Sequence, residues 1–383
     1  MTTYLDYNAT CPVDERVLAA MLPYLKDNYG NPSSVHSIGK LARAGLDRAR
    51  EQLALLVNAH PSQVIFTSGG TEANNMALRG VLAQQKTGSF AVSSIEHSSV
   101  MQTARQLARE DWDLEIIPVD SQGRVTRDGL NGCIGEDTRL VSVMMANNET
   151  GVLQDIGTIS EQVRARGAIM HTDAVQAAGK QPIDFADSGV QLMSLSAHKI
   201  YGPKGVGALV IDKSVDMQPL LFGGGHEKGR RSGTENIAGI VGFGMAAQLA
   251  VEELDSRCKH MSELQHRLES HLKDSIKGIV IFSDDAPRIP NTVFAAVASI
   301  DGETLLLSLD QRGFAIASGS ACSSAESGAS HVLLAMGIDK GVAKGSIRIS
   351  IGKETTREHI DAFVDELQGQ VDILKRMATV VAN

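Results

Sequence analysis

Four short stretches of this chain hold residue types and spacings able to do chemistry. Ser68-Gly-Gly-Thr-Glu72 follows the apolar run 64–67 and precedes a helix predicted over 73–82. A glycine-rich turn opening a helix presents free N–H groups at the positive end of the helix dipole, which suits a phosphate, and Thr71 adds a hydroxyl. A plain helix cap would use the same residues. In His171-Thr-Asp-Ala-Val-Gln176, Asp173 stands at the end of a strand predicted over 168–171, where open α/β sheets bind ligands. A carboxylate there can keep a pyridine nitrogen protonated, with Gln176 serving the same ring; capping a following helix is the alternative. Lys199 sits between a strand and the tight Gly202-Pro203 turn. A lysine held beside an apolar sheet can have a lowered pKa and form a Schiff base, whereas most lysines are surface charges. Finally, Cys322 lies in a tract, 315–330, in which 13 residues are Ala, Ser or Gly. Such a loop moves easily and can carry a thiol into a site and out again, although a free cysteine is more often buried structure. Together, Lys199, Asp173 and the glycine turn meet the needs of pyridoxal phosphate: a Schiff-base lysine, an acid for the ring nitrogen and a phosphate cup.

The elements that must position these residues are legible as alternation. Apolar or alternating runs at 64–67, 90–93, 114–119, 140–145, 168–171, 190–194 and 206–211 read as strands. Helical stretches lie between them; Leu46, Ala49, Leu53, Leu56 and Val57 make one helix face. The pattern predicts βα units on a mostly parallel sheet in one large α/β domain. After about residue 250 the texture becomes α+β. Met261, Leu264, Leu268 and Leu272 share a helix face, 279–282 and 291–297 read as strands, and a closing helix carries Ile360 to Leu374 on one side. Thr355 and Glu358 fit a capping box at its start. No internal repeat is evident.

Composition excludes several classes. Among 383 residues, 36 Lys plus Arg stand against 45 Asp plus Glu, a formal charge of −9. A nucleic-acid or anionic-membrane binder would need a basic surface instead, so neither partner is expected. With 43% apolar and 21% charged residues the chain is globular rather than disordered. Cys11, Cys133, Cys258 and Cys322 form no CxxC or Cys/His cluster, so neither a disulfide framework nor a metal site is expected, and the chain reads as reduced and cytoplasmic. Its first residues carry no basic and then apolar segment of a signal peptide. The most apolar stretch, 237–251, falls short of the roughly 20 residues a bilayer span needs and reads as a buried helix.

Read in order, a longer set of motifs carries a resemblance. It comprises Tyr4-Leu-Asp-Tyr-Asn-Ala-Thr10, Gly30-Asn-Pro-Ser-Ser-Val-His36, Gly70-Thr-Glu72, Glu96-His97, Asn147-Asn-Glu-Thr-Gly151, Asp173–Gln176, Ser196-Ala-His-Lys199, Arg231-Ser-Gly-Thr-Glu-Asn236, the Cys322 loop and Arg348-Ile-Ser350. Nearly end to end, the chain resembles the NifS/IscS-type cysteine desulfurases, pyridoxal-phosphate enzymes of the class V aminotransferase group with the type I fold. The resemblance implies a large cofactor-binding domain over 15–255 and a small domain from 1–14 and 256–383. It implies that Lys199 holds the cofactor and moves protons, Asp173 pairs with the ring nitrogen, Gln176 with the phenolic oxygen, and His97 stacks on the ring. Gly70, Thr71, Ser196 and His198 would bind the phosphate, helped by Thr234 from the other subunit of a homodimer. Asn148 and Arg348 would hold the carboxylate of L-cysteine. Cys322 would take its sulfur as a persulfide, for delivery to an acceptor such as an iron–sulfur scaffold. Cys11 and Ser323 stand where relatives often have threonine, and the ending at Asn383 looks more NifS-like than IscS-like, which leaves the acceptor open. A class V aminotransferase or selenocysteine lyase would share the cofactor residues without needing Cys322.

Overall fold

The computed structural model describes residues 2–85, 87–298, 300–319 and 328–381, with side chains as far as 377. Its strands, in chain order, are β1 (Thr3–Tyr4), β2 (Val64–Thr67), β3 (Ser89–Ser93), β4 (Asp113–Ile117), β5 (Thr138–Ser142), β6 (Ile169–Asp173), β7 (Leu192–Ser196), β8 (Gly207–Ile211), β9 (Ile279–Ile281), β10 (Thr292–Val297), β11 (Phe314–Ala315), β12 (Ala317–Ser318) and β13 (Ser346–Ser350). All seven runs read as strands in the first two thirds form one sheet, in the order β2-β8-β7-β6-β5-β3-β4. Helices cover it on both faces, so β2, β3 and β7 are buried throughout; β2 is almost wholly apolar, and the serines of β3 and β7 are buried with their apolar neighbours.

The sheet is mixed because β8 pairs antiparallel with both β2 and β7. The remaining pairs are parallel. Since β2 and β7 each oppose β8, they run parallel to each other. The C-terminal ends of β2, β3, β5, β6 and β7 therefore share one edge, and that edge hosts the site.

The predicted buried helix spans Ile237–Glu252 and packs against the helix Ser37–Leu56. A Cβ on Gly244 would come within 2.5 Å of Ala49 Cα, so glycine is what lets the two backbones approach. Below them, Arg50 is almost fully buried; it donates to both oxygens of Glu227 and to the carbonyl of Val64. Removing one partner of such a pair costs about 3–5 kcal/mol, so this contact fixes the loop that leads to Thr234.

A second sheet, β12-β13-β10-β9, is antiparallel throughout. It packs with the helices Leu254–Ser275 and Arg357–Val381 around a second core that includes Leu264, Leu268, Val293, Ile349, Phe363 and Leu367. The chain's start joins this unit: β1 lies parallel to β11, and Leu5 is part of the same core. Residues 314–318 form two short strands, because the chain leaves β1 at Ile316 and joins β13. One sequence expectation needs correction. The closing helix starts one residue later than the expected capping box of Thr355 and Glu358 implied. Its capping box is Thr356 and His359, whose backbone N–H groups donate reciprocally to the other's side chain, while Thr355 Oγ1 accepts from Gly352.

Candidate active site

At the shared edge of the large sheet a cavity of about 330 Å³ opens between the two units. It gathers Gly70, Thr71, His97, Asn148 and Asp173, and on its other side Gln176, Ser196, His198, Lys199 and Arg348. Residues more than 270 positions apart thus meet because five strand ends converge and β13 faces them. An adjoining cleft shares Gly70, Thr71, Ser196 and His198. A larger cleft of about 610 Å³ lies elsewhere, around Arg43, Asp47, His226 and Lys228, and holds none of the residues given a catalytic or binding role from sequence.

Asp173 closes β6 and is buried. Its Oδ2 accepts from Asn74 Nδ2 at 2.7 Å and its Oδ1 from the Val175 N–H at 3.0 Å. Both donors are neutral amides. Two residues earlier, His171 is fully buried between Ser142 and Ser194, and burial pushes its pKa down to about 4, so it supplies no charge. A buried carboxylate held only by neutral donors favours a cationic partner from the cavity.

Gly70 opens the helix Gly70–Leu82, and no side chain caps that end. A Cβ at Gly70 would come within 2.9 Å of Val175 Cγ2, so the turn is shaped for a backbone-only approach. Beside it, His198 Nδ1 lies 3.2 Å from Thr10 Oγ1. Burial, then the nearby Lys199, Lys204 and Lys180, lower the His198 pKa to about 4, so the ring is a neutral hydrogen-bonding group.

His97 caps the helix Ser98–Ala108: its Nδ1 accepts from the Ser99 N–H at 3.1 Å and lies 2.7 Å from Ser99 Oγ. Burial, with Lys199 and His331 also acting, outweighs the pull of Asp173 and lowers its pKa. With Nδ1 accepting from Ser99, a neutral ring carries its proton on Nε2. Asn74 donates to both Ser99 and Asp173, which links Asp173, Asn74, Ser99 and His97 in one chain.

Lys199 ends a 3₁₀ turn after β7. Its Nζ donates to the carbonyls of Asn8 at 2.5 Å and Ala9 at 2.8 Å. Arg348, on β13, donates to the carbonyl of Asn148 at 3.0 Å and to Asp6 at 2.7 Å, while its buried Nε has no partner among the described residues. An orphaned guanidinium N–H at a cavity wall suits an incoming carboxylate.

Ten of the twelve residues expected at a site from sequence therefore line one cavity. Thr234 lies apart, in a smaller cleft with Phe66, Ser68 and Asn236. Cys322 lies outside the described residues. Its flanks are placed, however: Ala317 pairs directly with Arg348, and Ser330 donates to the buried Glu149, next to Asn148. Sequence reasoning gave no role to Asn8, Asn74 or Ser99. Asn74 was detectable in principle, one helical turn after Gly70; nothing local marked Ser99.

Among the described residues, those present fit pyridoxal phosphate: an amine on Lys199, an acid on Asp173 held by neutral donors, a helix start with no side-chain cap where a Cβ would crowd Val175, and an orphaned buried oxygen on Asn74. Comparisons agree. Residues 3–363 match the class-V aminotransferase family. The cysteine desulfurase IscS of Dictyoglomus turgidum is 40% identical over 98% of this chain and 96% of its own. A solved NifS-like protein is 38% identical, with a TM-score of 0.91 over 97% of this chain and 100% of that one. A structure described as SspA in complex with cysteine is 32% identical, with a TM-score of 0.81 over 93% and 100% of the two chains. The conjunction of that site with these full-length matches places the chain in the class-V aminotransferase family, in its pyridoxal-phosphate-dependent cysteine desulfurase branch.

Proposed function

We propose that this protein converts L-cysteine to L-alanine, taking the sulfur onto Cys322 as a persulfide and passing it to an acceptor protein such as an iron–sulfur scaffold. The observation that carries the reading is the single cavity in which Lys199, Asp173 and Arg348 meet, in a chain matched from end to end by cysteine desulfurases.

Bound pyridoxal phosphate supplies an electron-accepting ring conjugated to the substrate nitrogen, which acidifies the α-proton and weakens the Cβ–Sγ bond. The chain's own groups do the rest. Lys199 would hold the cofactor and, as a free amine, would move the α-proton. Asp173 would keep the ring nitrogen charged, Gln176 would donate to the ring oxygen, and His97 would cover the ring. The helix start at Gly70, with Thr71, Ser196 and His198, receives the phosphate. Arg348 and Asn148 orient the substrate carboxylate. The Cys322 thiolate attacks the substrate sulfur: an S–S bond forms, the C–S bond breaks, and its electron pair goes to carbon, which takes up a proton. One thiol and one L-cysteine become one persulfide and one L-alanine, with no external oxidant.

A homodimer is part of the proposal. Thr234 lies outside its own chain's cavity, in keeping with service to a partner's phosphate site. Leu22, Leu25, Tyr29 and Val35 are large apolar side chains left exposed, Val35 at 87%, which a second copy would cover. Sparse cysteines, with Cys11, Cys133 and Cys258 free among the described residues, support a reducing cytoplasm.

The test incubates the pure protein with L-cysteine and a thiol reductant, measuring sulfide and alanine for wild type and Cys322→Ser. Wild type yields both in equal amounts; the variant keeps its cofactor absorbance and loses sulfide release. Undiminished sulfide from Cys322→Ser overturns the acceptor role.

A further inference from the structure

Beneath the cavity floor sits a lysine to which the proposed chemistry assigns nothing. Lys180 is only 6% exposed. Its Nζ donates to Gln176 Oε1 at 2.9 Å and to the Gln176 carbonyl at 3.2 Å. On the other side of the same carboxamide, Gln176 Nε2 donates to the Asn8 carbonyl at 2.9 Å, and that carbonyl also accepts from Lys199. The two lysines are thus joined through one amide and one carbonyl.

A carboxamide has an acceptor end and a donor end, and nothing in its own shape decides which faces where. Here both neighbours decide it. An ammonium only donates and a carbonyl only accepts, so the flipped amide would set donor against donor at Lys180 and acceptor against acceptor at Asn8. In the observed orientation one N–H meets Asn8, and the second is left for an acceptor in the cavity that Gln176 lines.

We propose that Lys180 is a positioning residue: its buried ammonium fixes the Gln176 carboxamide so that an N–H donor is held toward the oxygen substituent of the cofactor ring. The inference rests on the reading that Gln176 contacts that oxygen.

The orientation depends on Lys180 being charged, since a neutral amine can accept as well as donate. Burial, opposed by Cys11 and Cys258 and helped by Lys199 and Arg348, lowers its pKa to about 8. His198, Tyr201 and Arg257 also face this region from the elements packed around it. The lock is closed at neutral pH and opens as pH rises through about 8.

The experiment follows the visible absorbance of the cofactor-loaded protein from pH 6.5 to 10, together with the rate of cofactor release, in wild type, Lys180→Met, Lys180→Arg, Gln176→Leu and the Lys180→Met/Gln176→Leu double variant. Wild type is expected to show a spectral step near pH 8 that Lys180→Met and Lys180→Arg lack. Lys180→Met should release cofactor about 3–10-fold faster, the worth of one hydrogen bond, and Lys180→Arg should restore the wild-type rate. In the Gln176→Leu background, Lys180→Met should add nothing, because its effect passes through that amide. Lys180→Gln serves the same comparison if Lys180→Met does not fold. A spectral step unchanged in Lys180→Met, or additive effects in the double variant, overturns the role of Lys180. If Gln176→Leu itself alters neither spectrum nor release, the ring contact of Gln176 is wrong, and the inference falls with it.

Discussion

The carbonyl of Asn8 accepts a hydrogen bond from Nζ of Lys199 at 2.5 Å, joining two residues 191 positions apart. Asn8 is itself held by the second unit: its side chain bonds Thr292 and Asn291, and its N–H bonds Ser350. The start of the chain therefore clamps the lysine of the large sheet against the small one. Lys199→Ala is expected to abolish the borohydride-reducible cofactor linkage and to lower turnover by at least about 10²–10⁴-fold, the range lost with a positioned proton-transfer group. Reduction with borohydride followed by peptide mapping checks it; cofactor still fixed covalently in Lys199→Ala would refute the assignment.

Asn74 donates at once to Asp173 and to Ser99, so it couples the ring-nitrogen acid to the His97 cap. Asn74→Ala strips one of two neutral donors from a buried carboxylate. The expected cost is about 1–3 kcal/mol of stability, with turnover falling more than KM rises. Denaturant unfolding and steady-state kinetics together check both parts.

Glu96 is fully buried under His97, with Ser93 Oγ and the Met144 N–H donating to one oxygen. Burial, with Asp173 adding, raises its pKa to about 8. Its folded value lies above the unfolded one of about 4.3, so its contribution to stability is complete below that pH and is lost as pH climbs toward 8. Relative to Glu96→Gln, wild type should lose about 3 kcal/mol between pH 5 and 8 by this linkage. Unfolding curves of the pair across that range read the difference; a flat difference would mean that Glu96 is ionised in the fold throughout.

Arg348 spends its two terminal nitrogens on Asn148 and Asp6, which fixes the guanidinium plane. Lysine keeps the charge but not the fork. Arg348→Lys should raise KM for L-cysteine about 10–100-fold, the loss of one charged, two-pronged contact, and change turnover far less. An unaltered KM would remove Arg348 from carboxylate binding.

Much of this site was legible because its residues sit at element ends that announce themselves. Gly70 follows a four-residue apolar strand, Asp173 and Ser196 end others, and Lys199 precedes Gly202-Pro203. Asn8 and Ser99 were not legible as partners, because a carbonyl or a hydroxyl gains its role only from what packs beside it. The capping box was misplaced by one residue for a related reason: an apolar stripe locates a helix face more sharply than its first turn.

By itself the sequence determined the elements, their order and the chemical types able to act, since hydrophobic period and turn residues are local properties. It also carried the family, through motifs spread from Tyr4 to Ser350. Only the tertiary structure decided that β8 runs against its neighbours and so leaves the C-terminal ends of the other six strands on one edge. It alone decided that Asn8 ties Lys199 to Gln176, and that Lys180 sits behind that amide. Strand direction and long-range contact follow from how layers bury their apolar faces together, and no single segment encodes that.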